Sequence, residues 1–193
     1  MTRYSEQDDL ELVRMTRAGD PSAFGEIARR YQTTVLRFLK RKLSLTDAED
    51  VAQTTFLKAF ERIHSFRPVR LNSWLLGIAY HEMIDTFRRK KQQRASSQPH
   101  EAIDECDAAD SVATAEAGAR LWTIARQILS TEQFSALWLF YGEDLSAPEI
   151  ATALNRSWVS TKVLLHRARA ALRKAINAPP ISVPSSLSSA GEV

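Results

Sequence analysis

Between residues 94 and 115 the chain reads RASSQPHEAIDECDAADSVATA, a run with almost no large apolar side chains. Such a stretch cannot bury enough surface to offset the entropy of ordering it, so it predicts a linker and obliges the segments on either side to build their own packing. Both flanking segments repeat their apolar residues at three- and four-residue steps, the helical period. With six glycines in 193 residues and few β-branched runs, there is little from which to build a sheet. The sequence therefore predicts an all-α protein. Two small helical domains, 1–93 and 116–176, are joined by a flexible acidic linker at 94–115 and followed by a disordered Pro/Ser-rich tail at 177–193.

In the first domain Phe24, Ile27, Ala28, Tyr31, Val35, Phe38 and Leu39 fall on one face of a helix, and the Gly19-Asp20-Pro21 turn separates it from a shorter helix before it. Thr46-Asp47-Ala48-Glu49 has the form of a capping box and predicts the start of a third helix that buries Ala52, Phe56, Ala59, Phe60 and Ile63. Pro68 disfavours helical geometry at Arg67 and ends it. A fourth helix is predicted from about Ser73 to Gln92, with Arg88, Arg89, Lys90 and Lys91 in its last turns, more cations than a helix C-terminus requires. Beyond the linker, Leu121, Ile124, Ala125 and Ile128 resume the period and Ser130–Gln133 offers a second capping box. Ser146–Glu149 opens a short helix, Asn155 can take the left-handed conformation that ends it, and Ser157 can cap a last helix through Lys174. Two helices joined by so tight a turn predict a helix-turn-helix.

The net charge of +3 is unevenly spread, with 17 basic against 12 acidic residues in 1–93, 2 against 6 in 94–120, and 7 against 5 in 121–193. Two basic blocks suit a polyanionic partner, although a surplus this small is also common on solvated helical surfaces. Cys106 stands alone, which excludes an internal disulfide and fits a reducing cytosol. No apolar run approaches the roughly 20 residues needed to cross a bilayer, and Met1–Leu10 is polar and acidic, unlike a secretion signal. The expectation is a cytoplasmic protein with no membrane contact of its own.

No glycine-rich phosphate loop, Cys-x-x-Cys pair or nucleophile elbow occurs in the sequence. His81-Glu82-Met83-Ile84-Asp85 sets His81 and Asp85 on one helix face, as in a zinc protease helix with Asp for the second His, but nothing nearby supplies a third ligand at matched spacing. No catalytic residue, metal or cofactor is expected. The last helix carries Ser157, Trp158, Ser160, Lys162, His166, Arg167 and Arg169 opposite an inward stripe of Leu165, Ala168 and Leu172. Such a helix can enter a major groove, the N-terminal hydroxyls and Trp158 meeting base edges while Lys162, Arg167 and Arg169 neutralise phosphates; a solvated basic helix in a bundle carries the same pattern. On the fourth helix Trp74, Tyr80, His81 and Phe87 accompany the four cations, preceded by Phe66, Arg67, Arg70 and Asn72. Aromatic faces stack on unpaired bases and cations hold the backbone, unless Trp74 and Phe87 are core.

In order and wording the segments AGDPSAFGEIARRY (18–31), DAEDVAQTTFLKAF (47–60), SWLLGIAYHEMIDTFRRKK (73–91) and LSAPEIATALNRSWVSTKVLLHRARAALR (145–173) resemble the extracytoplasmic-function (ECF) sigma factors of the sigma-70 family. The resemblance implies a sigma2-like helical bundle and a sigma4-like helix-turn-helix, with no cofactor and no enzymatic activity. It implies that Asp47, Glu49, Asp50, Gln53 and Leu57 dock on the clamp helices of the largest subunit of core RNA polymerase. Phe66, Arg67, Asn72, Trp74, Tyr80, His81, Arg88, Arg89, Lys90 and Lys91 would capture the melted non-template strand of the −10 element, binding energy offsetting the cost of unstacking. Ser157, Trp158, Ser160, Lys162, His166, Arg167 and Arg169 would read the −35 element as duplex promoter DNA, with the polymerase flap region and an anti-sigma factor as further partners. Thr54 stands where an acidic residue usually follows the equivalent of Gln53, Val159 where glycine is common, and Val163-Leu164-Leu165 where the family carries Ser-Arg-Leu. A stand-alone helix-turn-helix regulator is the alternative reading.

Overall fold

The computed structural model describes residues 4–67, 70–96 and 113–177, and every element in them is helical. Helix α1 (Asp9–Arg17) and α2 (Pro21–Lys40) meet at a turn in which Gly19 has φ +95° and Asp20 caps α2 by accepting from Ser22 N, with Pro21 at the first helical position. Helix α3 (Leu45–Glu61) is followed by a 3₁₀ turn (Ile63–Ser65) and α4 (Leu71–Ser96). The second half holds α5 (Ala113–Ile128), α6 (Thr131–Tyr141), α7 (Ala147–Ala153) and α8 (Trp158–Ile176). The predicted linker lies largely outside the described residues, but α4 runs to Ser96 and α5 starts at Ala113, so both helices extend beyond the predicted domain edges. The predicted tail from 178 onward also lies outside them.

Local cap chemistry sets most boundaries. Ser130 and Gln133 form the expected capping box of α6, Asn155 has φ +51° after α7, and the Ser157 hydroxyl accepts from Ser160 N at 3.2 Å to start α8. The start of α3 differs from expectation. Ser44, not Thr46, is the cap: its Oγ accepts from Asp47 N at 3.3 Å and donates to Asp47 Oδ2 at 2.6 Å, which moves the helix start upstream and leaves Thr46 exposed on its first turn. Phe60 also stays 44% exposed, its ring T-shaped to that of Phe24 with centroids 5.2 Å apart, because Val51, Ala52, Thr55 and Ala59 make the inner face. In α5 Leu129, just past the helix end, is buried where Ile128 was expected inward.

One contiguous cluster of buried side chains spans both halves of the chain. The N-terminal half of α4 is buried nearly all round (Leu71, Leu75, Leu76, Ile78, Ala79, Tyr80, Met83), the pattern of a helix covered on more than one side. Helices α2 and α3 cover one side and α7 of the second domain the other. The approach of α7 explains a glycine that would otherwise weaken the helix by about 0.5–1 kcal/mol: a Cβ at Gly77 would sit 3.1 Å from the Ala153 Cα and 3.2 Å from its carbonyl oxygen. Polar contacts frame this seam. Arg37 Nη2 lies 2.9 Å from Glu143 Oε1, Arg41 stacks 4.4 Å from the Trp138 ring, and Ser73 Oγ donates to the Glu149 carbonyl at 3.4 Å. Lys42 donates to the Arg126 carbonyl at 3.0 Å while lying over Phe134; burial, with Arg126 nearby, pulls its pKa down to about 8.

The N-terminal segment is organised by Arg30, which reaches Asp9, Glu26 and the carbonyls of Tyr4, Ser5 and Gln7. Glu26 accepts from Arg29 and Arg30, and these hydrogen bonds hold its carboxyl down at about 2. A carboxylate depressed from 4.5 stabilises the fold fully above that value and loses its contribution as pH falls toward 2. Thermal melts of the intact chain and Glu26→Gln should therefore differ most near neutrality and converge between about pH 4.5 and 2. A gap that stays constant over that window would contradict the ion-pair assignment.

Candidate nucleic-acid interface

The surface residues expected to bind fall into three groups. On α3, Glu49, Gln53 and Leu57 are successive four-residue steps and form one exposed stripe, with Asp50 beside it. Leu57 is 66% exposed, and Leu45, one step earlier on the same stripe, is 56% exposed. Leu45 was missed in the sequence because the helix start was placed after it. Asp47 is separated from this stripe. Its carboxylate lies in a cleft of about 270 Å³ between α3 and α4 and accepts from Lys90 and Ser44. Burial raises its pKa, but those hydrogen bonds outweigh the effect and hold it below the usual carboxylate range. A residue expected to meet polymerase and one expected to meet DNA thus neutralise each other.

On α4 and the loop before it the aromatic rings are covered. Phe66 is 5% exposed and packs edge-on against Trp74 at 5.2 Å, Trp74 and Phe87 are half-buried, and Tyr80 is 7% exposed. Burial raises the Tyr80 pKa, and Glu132 of α6 adds to the effect. Asn72 Oδ1 is buried without a hydrogen-bond partner. His81 is exposed, with Nδ1 2.7 Å from the Gly77 carbonyl. Arg67 and Lys91 are exposed; Arg88 pairs with Asp85 at 3.3 Å, and Arg89 donates to Thr86 at 3.1 Å.

The helix-turn-helix is α7–α8. Asn155 and Arg156 close the turn, Arg156 N donating to the Ala151 carbonyl at 2.8 Å. Arg156 also pairs with Glu132 and donates to Ser160 Oγ at 3.1 Å. On α8 Thr161, Leu165 and Ala168 are buried, while Trp158, Lys162, His166 and Arg167 face out. Lys162 Nζ lies 4.3 Å above the Trp158 ring. Arg169 is engaged differently: its guanidinium lies over Phe140 at 4.8 Å and its Nε donates to Tyr141 Oη at 3.0 Å. Tyr80, His81 and Arg88 share a cleft of about 550 Å³ with Ser157 and Ser160. Three of the expected −10 residues and two of the expected −35 residues therefore meet at one cleft, and the others lie outside it.

Comparison with known proteins agrees with this layout. Residues 27–93 match the Sigma-70 region 2 family and residues 127–172 the Sigma-70 region 4 family. The ECF RNA polymerase sigma factor SigW of Bacillus subtilis is 31% identical over 175 residues, 84% of this chain and 93% of its own. The chain belongs to the ECF sigma factors of the sigma-70 family. SigM of the same organism is 31% identical over 156 residues, covering 79% of this chain and 94% of SigM. The structure of CnrH in complex with the cytosolic domain of CnrY matches with TM-score 0.65 and 22% identity, over 89% of this chain and 99% of that one. The sigma factor RpoE in complex with the anti-sigma factor NepR from Bartonella quintana matches with TM-score 0.62 and 20% identity, over 81% and 98%. Both share the fold. Among the described residues, no helix of this sigma factor is long and apolar enough to cross a membrane.

The two arginines of α8 separate by what they touch. Arg169→Ala removes a stacked cation and a hydrogen bond to Tyr141 and should lower unfolding free energy by about 0.5–1 kcal/mol, whereas Arg167→Ala, exposed, should stay within about 0.5 kcal/mol of the parent chain. Equal stabilities in urea titration would show that the stacking of Arg169 carries no weight.

Proposed function

We propose that this chain directs transcription initiation: it binds core RNA polymerase through the outer stripe of α3, opens the −10 element through α4 and its preceding loop, and reads duplex −35 DNA through α8. It acts by binding, without catalytic residues or a cofactor. The observation that carries the reading is the pairing of an exposed acidic and apolar stripe (Glu49, Asp50, Gln53, Leu57) with a separate basic helix-turn-helix face on one chain. Membership of the ECF family favours the polymerase-bound reading over a stand-alone regulator. The sigma factors CnrH and RpoE occur in complexes with CnrY and NepR, which supports an anti-sigma partner for this chain too. The absence of a membrane-length helix among the described residues is consistent with a cytoplasmic site of action.

Promoter elements centred about 25 base pairs apart lie roughly 85 Å apart along B-DNA, at about 3.4 Å per pair. A chain of 193 residues packed as one compact body has a radius of gyration of about 16 Å, hence a diameter of about 40 Å, so two domains in contact cannot hold both elements. Engagement of a promoter requires the seam between α4 and α7 to open, and the 16-residue connection from 97 to 112 can extend to roughly 50 Å. Opening also uncovers Tyr80, which lies 7% exposed in the cleft it shares with Leu154 and Arg156.

Purified chain mixed with sigma-free core polymerase should start RNA synthesis at specific sites on a genomic fragment pool. Asp50→Arg, which places a cation on the α3 stripe, should abolish co-purification with core while leaving the helical circular dichroism signal intact. Arg167→Ala should weaken promoter binding by the holoenzyme and reduce its salt slope by about one, without loss of core binding. Undiminished assembly with Asp50→Arg would reject the α3 surface as the polymerase contact.

A further inference from the structure

Helix α8 carries no acidic residue from Trp158 to Ile176, while Lys162, Arg167, Arg169, Arg173 and Lys174 make it strongly cationic. Within this basic helix, three large apolar side chains near the N-terminus remain in solvent: Trp158 is 51% exposed, Val159 63% and Val163 43%. Trp158 is partly accounted for, because Lys162 lies over its ring. The two valines are not. They stand four residues apart, hence stacked on one face, and the intervening Thr161 and the following Leu165 turn the other way into the core. β-branched side chains gain nothing from an exposed helix surface, where their stiffness lowers propensity and their methyls meet water. His166 continues the same outward side one turn on, so the pair is ringed by Lys162, His166 and Arg167 and by no carboxylate of its own helix.

A polyanion is the partner that such a rim selects. In the major groove of a DNA duplex, the one methyl group presented at the base edges is the C5-methyl of thymine; the other features that tell the bases apart there are hydrogen-bond donors and acceptors. A valine offers neither, and would leave those groups unsatisfied at any other base. We propose that Val159 and Val163 read thymine methyl groups, and so fix T·A pairs in the upstream promoter element of this sigma factor. The inference rests on the reading that α8 enters the major groove, and it adds the residues that set its sequence preference. Val159 and Val163 are four residues, about 6 Å, apart along the helix axis, which corresponds to between one and two base-pair steps of about 3.4 Å. The two methyls therefore belong to adjacent or next-but-one pairs. Trp158 and Lys162, held together, lie beside the pair, each one residue before a valine.

Deoxyuridine differs from thymidine only by this methyl. The reconstituted holoenzyme would first select its upstream element from a randomised duplex library, and each thymine of that element would then be replaced singly by deoxyuridine in binding assays. One or two replacements should weaken binding about fourfold each, the value of one buried methyl-sized group. Val159→Ala with Val163→Ala, which keeps a good helix former at both positions, should bind the thymine and uracil promoters alike and retain core polymerase affinity. Equal binding of thymine and uracil promoters by the parent holoenzyme would overturn the proposal while leaving the groove assignment standing. Selection of no upstream element at all would sink the groove assignment itself. If the double variant kept its thymine preference but lost a protein partner, core polymerase or an anti-sigma factor, the valines would belong to that protein interface and the proposal would be rejected.

Discussion

The close approach of α7 to α4 at Gly77 and Ala153 is the constraint on which the rest of the arrangement depends. A helix buried on two sides needs apolar residues nearly all round, and the N-terminal half of α4 supplies them from Leu71 to Met83. It also needs one position without a side chain where the second domain comes closest, and Gly77 supplies that. Everything that follows along α4 inherits its orientation from this contact. Tyr80 and His81 turn toward the cleft shared with Ser157 and Ser160, and Glu82 turns the other way to pair with Lys58 at 2.6 Å. The α3 stripe from Leu45 to Leu57 points away from the seam and stays open to a large partner. The surface expected to meet polymerase and the outer face of α8 are therefore both open in the closed arrangement, and the residues the seam covers are those such as Tyr80.

The cations divide along the same line. Arg30, Arg37, Lys42, Lys90 and Arg169 are committed inside the molecule, to carboxylates, carbonyls or aromatic rings. Arg67, Lys91, Lys162 and Arg167 face solvent. A net charge of +3 is a poor guide to partner when so many basic residues are spent on architecture, but the outward set concentrates where DNA is expected. Lys90 is tied to Asp47 across the α3–α4 cleft, so a polyanion arriving at the end of α4 has to compete with that carboxylate for it.

Much of this was legible in the sequence, for a physical reason: caps and turns are local. Asp20 before Pro21, the Ser130–Gln133 box, Asn155 and Ser157 each act within four residues, and each does what its chemistry predicts. The error at Thr46 has the same origin, since Ser44 competes for the same role two residues earlier and wins by bonding Asp47. What the sequence could not reveal depends on distant segments. Nothing near Tyr80 announces that Leu154 and Arg156 will cover its side of α4, and nothing near Arg169 announces the rings of Phe140 and Tyr141. Phe66 reads as a base-stacking aromatic by its neighbours, yet here it is packed on Trp74. The family resemblance named these residues; the packing shows that some of them are shielded while the two domains touch.

The seam is closed in the free chain, and the proposed function requires it to open on a promoter. The direct measurement is the distance between labels at Gln32→Cys on α2 and Ala170→Cys on α8, both exposed, in a Cys106→Ser background. Free chain should give one short, narrow distance; holoenzyme on promoter DNA should give a long one; and Gly77→Leu, which wedges α4 from α7, should shift the free chain toward the long distance while its helix content holds. The same short distance in free chain and promoter complex would contradict the account.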